Sequence, residues 1–215
     1  WHRVTDFLAA EKVKANYGII TETLEDDCPA YIDWIKERHA SGMIEFWNHG
    51  YYNRFPKKDP EAKQSEYLGR SVEEQAASVK KSHELMKEKT GIVMKAFGPH
   101  GTPPDENLHP ALKTVPEILL VWYYGPPKGV NTDKLVLQRR AELEKPLLVP
   151  NAANIKENWA KYRAYDYLAL QGHPNQWDDP RFEQFKEAVK FMKEQGCRFL
   201  TVTEYLAERD AAKGK

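Results

Sequence analysis

Short apolar runs alternate along this chain with longer segments in which apolar residues recur every three or four positions. The short runs predict β-strands and the longer segments predict helices. Alternation of this kind is typical of a parallel sheet whose strands are joined by crossover helices. The predicted strands are 15–20, 43–47, 93–97, 118–124, 135–137, 146–149, 165–170 and 198–200, and the predicted helices are 1–14, 29 to the Gly42 turn, 71–89, 105–112, 152–162, 179–195 and 203–211.

Local residues mark several helix ends. Ser71 and Glu74 have the spacing of a capping box at the start of the third helix. Gly42 suits the end of the second helix, and Asp105 is expected to cap the short fourth one. Between them, residues 54–68 form a long polar connection, which in a compact domain is usually functional or disordered.

Histidines follow three of the predicted strands. His49 follows the second strand, His100 the third and His173 the seventh. In barrel enzymes the catalytic groups come from the carboxyl ends of several strands and meet at one mouth. The pattern therefore favours a (β/α) barrel over an open sheet, with these three side chains in its site.

The 215 residues predict one domain over 1–211, followed by a frayed tail at 212–215. Lysine and arginine number 32, as do aspartate and glutamate, so the formal net charge is zero. This balance argues against a nucleic-acid or membrane-surface partner. Cys28 and Cys197 have neither metal-ligand spacing nor a disulfide framework, and no glycine-rich phosphate motif occurs.

The chain begins at Trp1, without a methionine, and opens directly on a predicted helix. We therefore expect an upstream piece that carries a strand or a targeting signal, so a signal peptide is not observable and the compartment is left open. No apolar run reaches the roughly 20 residues of a membrane span.

The three strand exits, in this order, resemble those of the polysaccharide deacetylase (NodB-homology) superfamily, and the resemblance covers nearly the whole chain. The family's His-x-x-x-His metal motif falls on 49–53, with His49 kept and Asn53 in place of the second histidine. Its late Leu-x-x-His motif falls on Leu170 and His173 in full.

The family's Arg-x-Pro-x-Gly turn falls on 97–101. Pro99 and Gly101 match, while Phe97 stands where the family has arginine. The family also opens with a strand that ends in Asp-Asp, which supplies a catalytic base and a metal ligand. The pair at 26–27 lies in a different position, so the first strand is expected before Trp1, or alternatively this protein has lost it.

The resemblance implies an α/β fold, an irregular (β/α) barrel without its first strand in this chain. It implies a metal-dependent hydrolase that removes an acetyl group from a carbohydrate. His49 would bind the divalent metal, zinc by the family pattern, and Asn53 would add a weaker oxygen ligand. His173 would be the general acid, and the backbone N–H after the His49 turn would help to hold the oxyanion.

Several neighbours are expected to contact the substrate. They are Trp47, Tyr51, Pro99, His100, Gly101 and Trp177. The alternative for His49 is a capping role, for His173 a buried residue bonded to backbone, and for His100 a solvated loop position. Trp47 ends an apolar strand, and a tryptophan in that place more often belongs to the core. The other histidines, His2, His39, His83 and His109, are predicted on surfaces or helix ends.

Two further functions stay open at this point. One is a non-catalytic relative that binds carbohydrate and has lost its metal site, which Asn53 and the absent Asp-Asp pair favour. The other is a different C–N hydrolase on the same fold. The expected partner is a carbohydrate or another acylated small molecule.

Overall fold

A computed structural model describes residues 1–52, 65–100 and 104–214. Asn53, Gly101 and most of the polar connection at 54–68 lie outside the described residues. The chain divides into two compact units. The sheet unit comprises Ala15–Leu137 and Thr201–Lys215, and the helical unit comprises Trp1–Lys14 and Gln138–Leu200.

Within the described part of the sheet unit, parallel strands form one sheet in the order β1-β2-β3-β4-β5, with a helix or turn segment before each next strand. This order confirms the predicted α/β class. The elements are β1 (Ala15–Ile19), α2 (Pro29–Ala40), β2 (Ile44–Asn48), α3 (Val72–Thr90), β3 (Ala96–Phe97), α4 (Leu108–Leu112), β4 (Leu120–Trp122), β5 (Leu135–Leu137) and α8 (Val202–Lys213), with a 3₁₀ turn at Thr21–Leu24.

The strands place the histidine turns at one edge of the sheet. Because all strands run in parallel, the residues after β2 and after β3 leave at the same side, and Asn48 lies in register with Phe97. Ile44 and Phe46 of β2 are buried, and each has only 1% of its surface exposed. Glu45 accepts hydrogen bonds from the backbone and hydroxyl of Thr203 at the start of α8.

One hydrophobic cluster packs the sheet against the helices α3 and α4. Its members are buried and come from β3, β4, the two helices and the segments that connect them. They are Tyr67, Val79, Phe97, Leu108, Leu112, Val115, Ile118 and Val121.

The helix ends are mostly those predicted. Ser71 and Glu74 form the capping box of α3, and Gly91 ends that helix in the left-handed region at φ 78°. The prediction for Asp105 is wrong, because α4 begins after Asn107. Asp105 instead accepts hydrogen bonds from the Gly69 backbone and the Gln75 side chain.

The helical unit contains α1 (His2–Ala10), α5 (Ala152–Glu157), α6 (Trp159–Tyr162) and α7 (Asp179–Glu194), with a 3₁₀ turn at Pro174–Gln176. The Asp178 side chain caps α7 through the Arg181 backbone, as its position predicts. The helix predicted over 152–162 divides at Asn158, whose backbone departs from helical geometry.

The strands predicted at 146–149, 165–170 and 198–200 are wrong, since none of these described segments is a strand. Residues 145–149 close a tight turn, in which the Lys145 N–H donates to the Val149 carbonyl. At 165–170 the tyrosines pack on the Arg140 guanidinium, 4.1 Å from the Tyr167 ring. Short apolar runs do not distinguish a strand from a buried irregular segment.

The last helix continues to Lys213, beyond the predicted start of the tail at Ala212. The single domain over 1–211 stays a prediction beside the two compact units. In the described residues, no helix combines the length and the apolarity that crossing a membrane requires.

Candidate active site

The turn after β2 is fixed by Asn48, whose side chain is fully buried. Its amide donates to the Val79 carbonyl of α3, and its oxygen accepts from the Gly50 backbone and the Ser82 hydroxyl, both at 2.9 Å. An amide serves here because it can donate and accept at once. Asn48 therefore ties the histidine turn to α3.

His49 is half-buried, and its ring is fixed in orientation. Nδ1 lies 2.6 Å from the Gly98 carbonyl, which can only accept a hydrogen bond, so Nδ1 carries the proton. In the neutral ring, Nε2 then holds the lone pair, which is the arrangement of a metal-ligating or proton-accepting histidine. The ring also contacts Trp47 at a centroid distance of 4.7 Å.

His100 lies beside His49, with ring centroids 5.6 Å apart and nearly perpendicular planes. It is only 6% exposed, so the solvated-loop alternative is wrong. Its Nε2 is 2.7 Å from Oε2 of Glu66, a carboxylate with no solvent exposure. The sheet unit thus brings two of the predicted histidines together and adds a buried carboxylate.

Glu66 is the centre of a hydrogen-bond network. Its Oε1 accepts from the Tyr51 backbone at 2.8 Å and from the Tyr67 hydroxyl at 3.1 Å, and the Ser78 hydroxyl also donates to it. Burial, followed by the nearby charge of Glu66, raises the pKa of Tyr67 well above its ordinary value. Tyr67 is therefore a donor to the carboxylate at every pH near neutrality.

Gly50 allows this carboxylate to approach the turn. Its φ is 99°, and a Cβ atom there would lie 2.5 Å from Oε2 of Glu66 and 2.9 Å from Cδ2 of His100. Both the backbone conformation and the space exclude other residues. The N–H groups of Gly50 and Tyr51 already donate to Asn48 and Glu66, so the predicted oxyanion role of this backbone does not fit.

The aromatic residues predicted to bind substrate are placed differently. Trp47 is half-buried, and its ring covers the backbone of Gly18 and Gly98 so closely that a Cβ would lie within 2.7 Å and 2.9 Å of it. The Tyr51 hydroxyl donates to Glu25 at 2.8 Å, and Lys81 lies 3.7 Å above its ring. Both residues hold the turn in addition to any contact with a ligand.

In the helical unit, His173 is paired with Glu144. Nδ1 of His173 lies 2.6 Å from Oε2 of Glu144, and the His173 backbone N–H donates to Oε1 at 2.7 Å. The glutamate side chain is 3% exposed, whereas the histidine side chain is 31% exposed. A buried carboxylate thus orients an accessible imidazole, as in hydrolases that transfer protons through histidine.

The carboxylate of Glu144 has further donors in the Trp177 indole at 2.9 Å and the Leu148 backbone at 3.0 Å. Burial alone would raise the pKa of Glu144, but the hydrogen bonds from His173, its charge and the Leu148 N–H outweigh burial and hold the pKa below its ordinary value. Trp177 is 6% exposed and packs on Phe185, so it supports Glu144 from inside the fold.

Two of the remaining histidines are buried. His83 is 5% exposed in the interior of α3, so its predicted surface or helix-end position is wrong, whereas His109 lies in the last turn of α4 and is fully buried. Burial lowers the pKa of both rings, and His109 Nε2 lies 3.1 Å from the Tyr124 carbonyl. They are neutral packing residues of the sheet unit.

Sequence reasoning missed Glu66 and Glu144. Neither belongs to a recognised motif, and each lies far along the chain from the histidine it contacts. One signal was available, since Glu66 lies in the long polar connection after β2, where functional residues are common. Glu144 carried no comparable signal.

No protein-family model and no curated protein matches this sequence. Several solved structures do match this chain. The wild-type CE4 family pseudoenzyme from Bacillus anthracis superposes with a TM-score of 0.61 and 14% identity, over 94% of this chain and 58% of that one. The chain therefore spans less than two thirds of the length of that protein. A mutant of the pseudoenzyme with restored enzymatic activity matches equally.

Two other solved structures are similar to this chain. The family 4 acetyl xylan esterase from Clostridium thermocellum, in complex with a cobalt ion, has a TM-score of 0.59 and 18% identity over 97% of this chain and 84% of that one. Puue allantoinase has a TM-score of 0.68 and 12% identity over 93% and 68%. The resemblance seen in the sequence is thereby confirmed at the level of the fold, which is the irregular (β/α) barrel type of the polysaccharide deacetylases.

Proposed function

We propose that this chain acts as a hydrolase that removes an acetyl group from a carbohydrate, with His173 transferring the proton to the leaving atom. The observation that carries the proposal is the pairing of His173 with Glu144. An exposed imidazole held by a buried carboxylate has a fixed ring and a stabilised cationic form.

Glu144 would act at two stages. In the resting protein its oxygens hold Nδ1–H and the backbone of His173, which directs Nε2 outward. When Nε2 takes up a proton, the carboxylate stabilises the imidazolium, because the pair is then an ion pair in a poorly hydrated place. Trp177 and Leu148 keep the carboxylate itself from turning.

A divalent metal is part of the proposal, and one residue fits it. His49 presents the tautomer that a metal requires, because its Nδ1–H is already given to Gly98. Among the described residues no group of three histidine, cysteine or acidic side chains could hold an ion. Asn53 would be the second ligand, and a carboxylate would have to come from elsewhere. When bound, zinc would polarise the acetyl carbonyl.

The substrate class rests on the similar structures. The acetyl xylan esterase acts on an acetylated polysaccharide by its name and was solved with cobalt. Pro99, Gly101, Trp47 and Tyr51 stay predicted substrate contacts. Trp177 and His100, also predicted as contacts, are better assigned to Glu144 and Glu66, since each is only 6% exposed.

The test is acetate release from acetylated xylan and from N-acetylated chito-oligosaccharides, with zinc or cobalt added. We expect activity that falls by about 10²–10⁴-fold in His173→Ala, the range of a lost proton-transfer group. His2→Ala, on an exposed residue, is the matched control and should keep full activity. Activity that is equal in His173→Ala and the wild type would refute the proposal.

A non-catalytic carbohydrate-binding protein is the second candidate. The absence of a three-residue ligand group in the described chain favours it, and a pseudoenzyme of the same fold exists. It predicts binding to xylan or chitin fragments by calorimetry, without acetate release at any metal concentration.

A different C–N hydrolase is the third candidate, supported by the likeness to an allantoinase. Here water would open the ring of a small cyclic amide, and the new carboxylate would be detected as proton release at constant pH, while acetate release does not occur. His173→Ala should abolish this activity also.

A further inference from the structure

The helical unit contains a hydrogen-bonded chain that reaches His173 from the side opposite Glu144. Arg139 Nη1 donates to Oε1 of Gln171 at 2.7 Å. Nε2 of Gln171 in turn lies 3.4 Å from Nε2 of His173. Arg139 belongs to no motif that the sequence suggested, and Gln171 fills a variable position of the Leu-x-x-His motif.

The direction of every bond in this chain is set by chemistry. A guanidinium can only donate, so the amide oxygen of Gln171 must face Arg139 and its NH₂ must face His173. An ionised carboxylate can only accept, so Nδ1 of His173 carries a proton toward Glu144. Nε2 of His173 is therefore an acceptor, and the NH₂ group of Gln171 is the donor that it needs.

The backbone between the two side chains is equally constrained. Gly172 lies against the Trp177 indole, and a Cβ there would be 2.9 Å from its Cζ2 atom and 3.3 Å from Cδ2 of Leu143. The same indole donates to Glu144. The packing that fixes the carboxylate thus also fixes the distance between Gln171 and His173.

We propose that Arg139 and Gln171 are positioning residues that hold His173 as the neutral Nδ1–H tautomer, with Nε2 reserved as a proton acceptor. Arg139 prevents the amide of Gln171 from turning its oxygen toward the ring. An oxygen there would accept from a protonated Nε2 and favour the imidazolium, whereas the NH₂ group opposes it.

The contact between Gln171 and His173 determines when Nε2 can give a proton in the reaction. While Gln171 donates to Nε2, that nitrogen has no proton to give. A proton must first reach Nε2, from the attacking water or from solvent, and the Gln171 contact must open at that moment. The same proton then passes from Nε2 to the leaving oxygen or nitrogen, and the contact with Gln171 closes again.

The charged side chains around the ring are Glu144, in direct contact, and Arg139, separated from it by the amide. Arg140, the next residue along the chain, is directed elsewhere. It forms an ion pair with Asp166 and stacks on the Tyr167 ring. It therefore provides a matched control for Arg139 with the same charge and nearly the same place in the sequence.

The direct test is ¹⁵N NMR of the imidazole nitrogens in the full chain, at a pH where the ring is neutral. The signals of His173 are those that vanish in His173→Ala. We expect a protonated Nδ1 and an unprotonated Nε2 in the wild type. In Gln171→Ala the Nε2 resonance should move to higher frequency as its donor is lost, and Arg139→Ala should move it part of the way. Arg140→Ala should leave it unchanged.

A wild-type ring that carries its proton on Nε2 would overturn the inference. So would Gln171→Ala and Arg139→Ala spectra that match the wild type. Circular dichroism of each variant separates a local change from unfolding, and the exposed position of Arg139 favours a folded protein.

The catalytic consequence rests on the proposed function. For acetate release we expect kcat to fall about three- to tenfold in Gln171→Ala, with KM nearly unchanged, because one hydrogen bond that orients the ring is lost. If no variant and no wild-type sample releases acetate while the NMR shifts occur as stated, the proposed function fails and the positioning role stands.

Discussion

Removing the carboxylate of Glu66 should strongly destabilise the sheet unit. Glu66→Ala removes the carboxylate that the buried Tyr67 and His100 contact, and it also removes the acceptor of the half-buried Tyr51 and Ser78 groups. A buried donor left unsatisfied costs about 1–3 kcal/mol, and a partly hydrated one about half of that or less. The sum is at least about 2 and at most about 9 kcal/mol of unfolding free energy, a range that contains the roughly 3–5 kcal/mol for removing one partner of a buried ion pair.

Glu66→Gln removes the charge of the side chain and keeps its shape. The amide oxygen can still accept from Tyr67 and Ser78, while its NH₂ group faces Nε2 of His100, which can become an acceptor by changing tautomer. We therefore expect a smaller loss, about 1–2 kcal/mol. The order of stability should be wild type, then glutamine, then alanine.

The assay is urea unfolding followed by circular dichroism, with the same two substitutions at Glu73 as controls. Glu73 lies exposed in the first turn of α3, where changes are usually worth less than about 0.5 kcal/mol. If Glu66→Ala costs no more than Glu73→Ala, the buried network does not stabilise the histidine turn and the reasoning is refuted.

Three other predictions follow from single contacts. Gly50→Ala should lower the free energy of unfolding by more than about 2 kcal/mol, because the new Cβ atom would collide with the buried carboxylate of Glu66. Gly42 has open space around it and φ 70°, so Gly42→Ala should lower the free energy of unfolding by only about 1 kcal/mol, as measured by thermal unfolding. The pKa of Glu144 is lower in the folded protein than in the unfolded chain. Its contribution to stability is therefore fully present above the unfolded-state pKa, and it is lost as the pH falls through the folded-state pKa. Glu144→Gln should thus flatten the acidic limb of melting temperature against pH, and Glu142→Gln should not. Asn53→His should tighten zinc binding in calorimetry, and an unchanged affinity would remove position 53 from the ligand set.

The strands of the sheet unit could be predicted because each overlaps a short apolar run of the sequence. The runs at 15–20, 43–47 and 135–137 became β1, β2 and β5 within one or two residues. The run at 165–170 is also rich in apolar residues, yet it does not form a strand in the described part of the chain. Strand formation depends on a paired neighbour, which a single segment cannot reveal.

The site was predictable only in part, for a similar reason. A histidine at a strand exit is visible in the sequence, so His49 and His100 were found. The tautomer and orientation of a histidine ring depend on its hydrogen-bond partner, and the fold determines which residue that partner is. Glu66 and Glu144 lie 34 and 29 residues from His100 and His173, a separation that no local pattern encodes.

The two histidine–carboxylate pairs are built alike but serve different ends. In each, the carboxylate is almost fully buried, accepts a backbone N–H and lies within 2.7 Å of a ring nitrogen. The difference is the exposure of the ring, since His100 is 5% exposed and His173 is 31% exposed in the side chain. A proton can be exchanged with a substrate only at an accessible nitrogen, so His173 is suited to catalysis. His100 and Glu66 instead fix the turn that carries His49, and variants at Glu66 should change stability before they change any chemistry at His173.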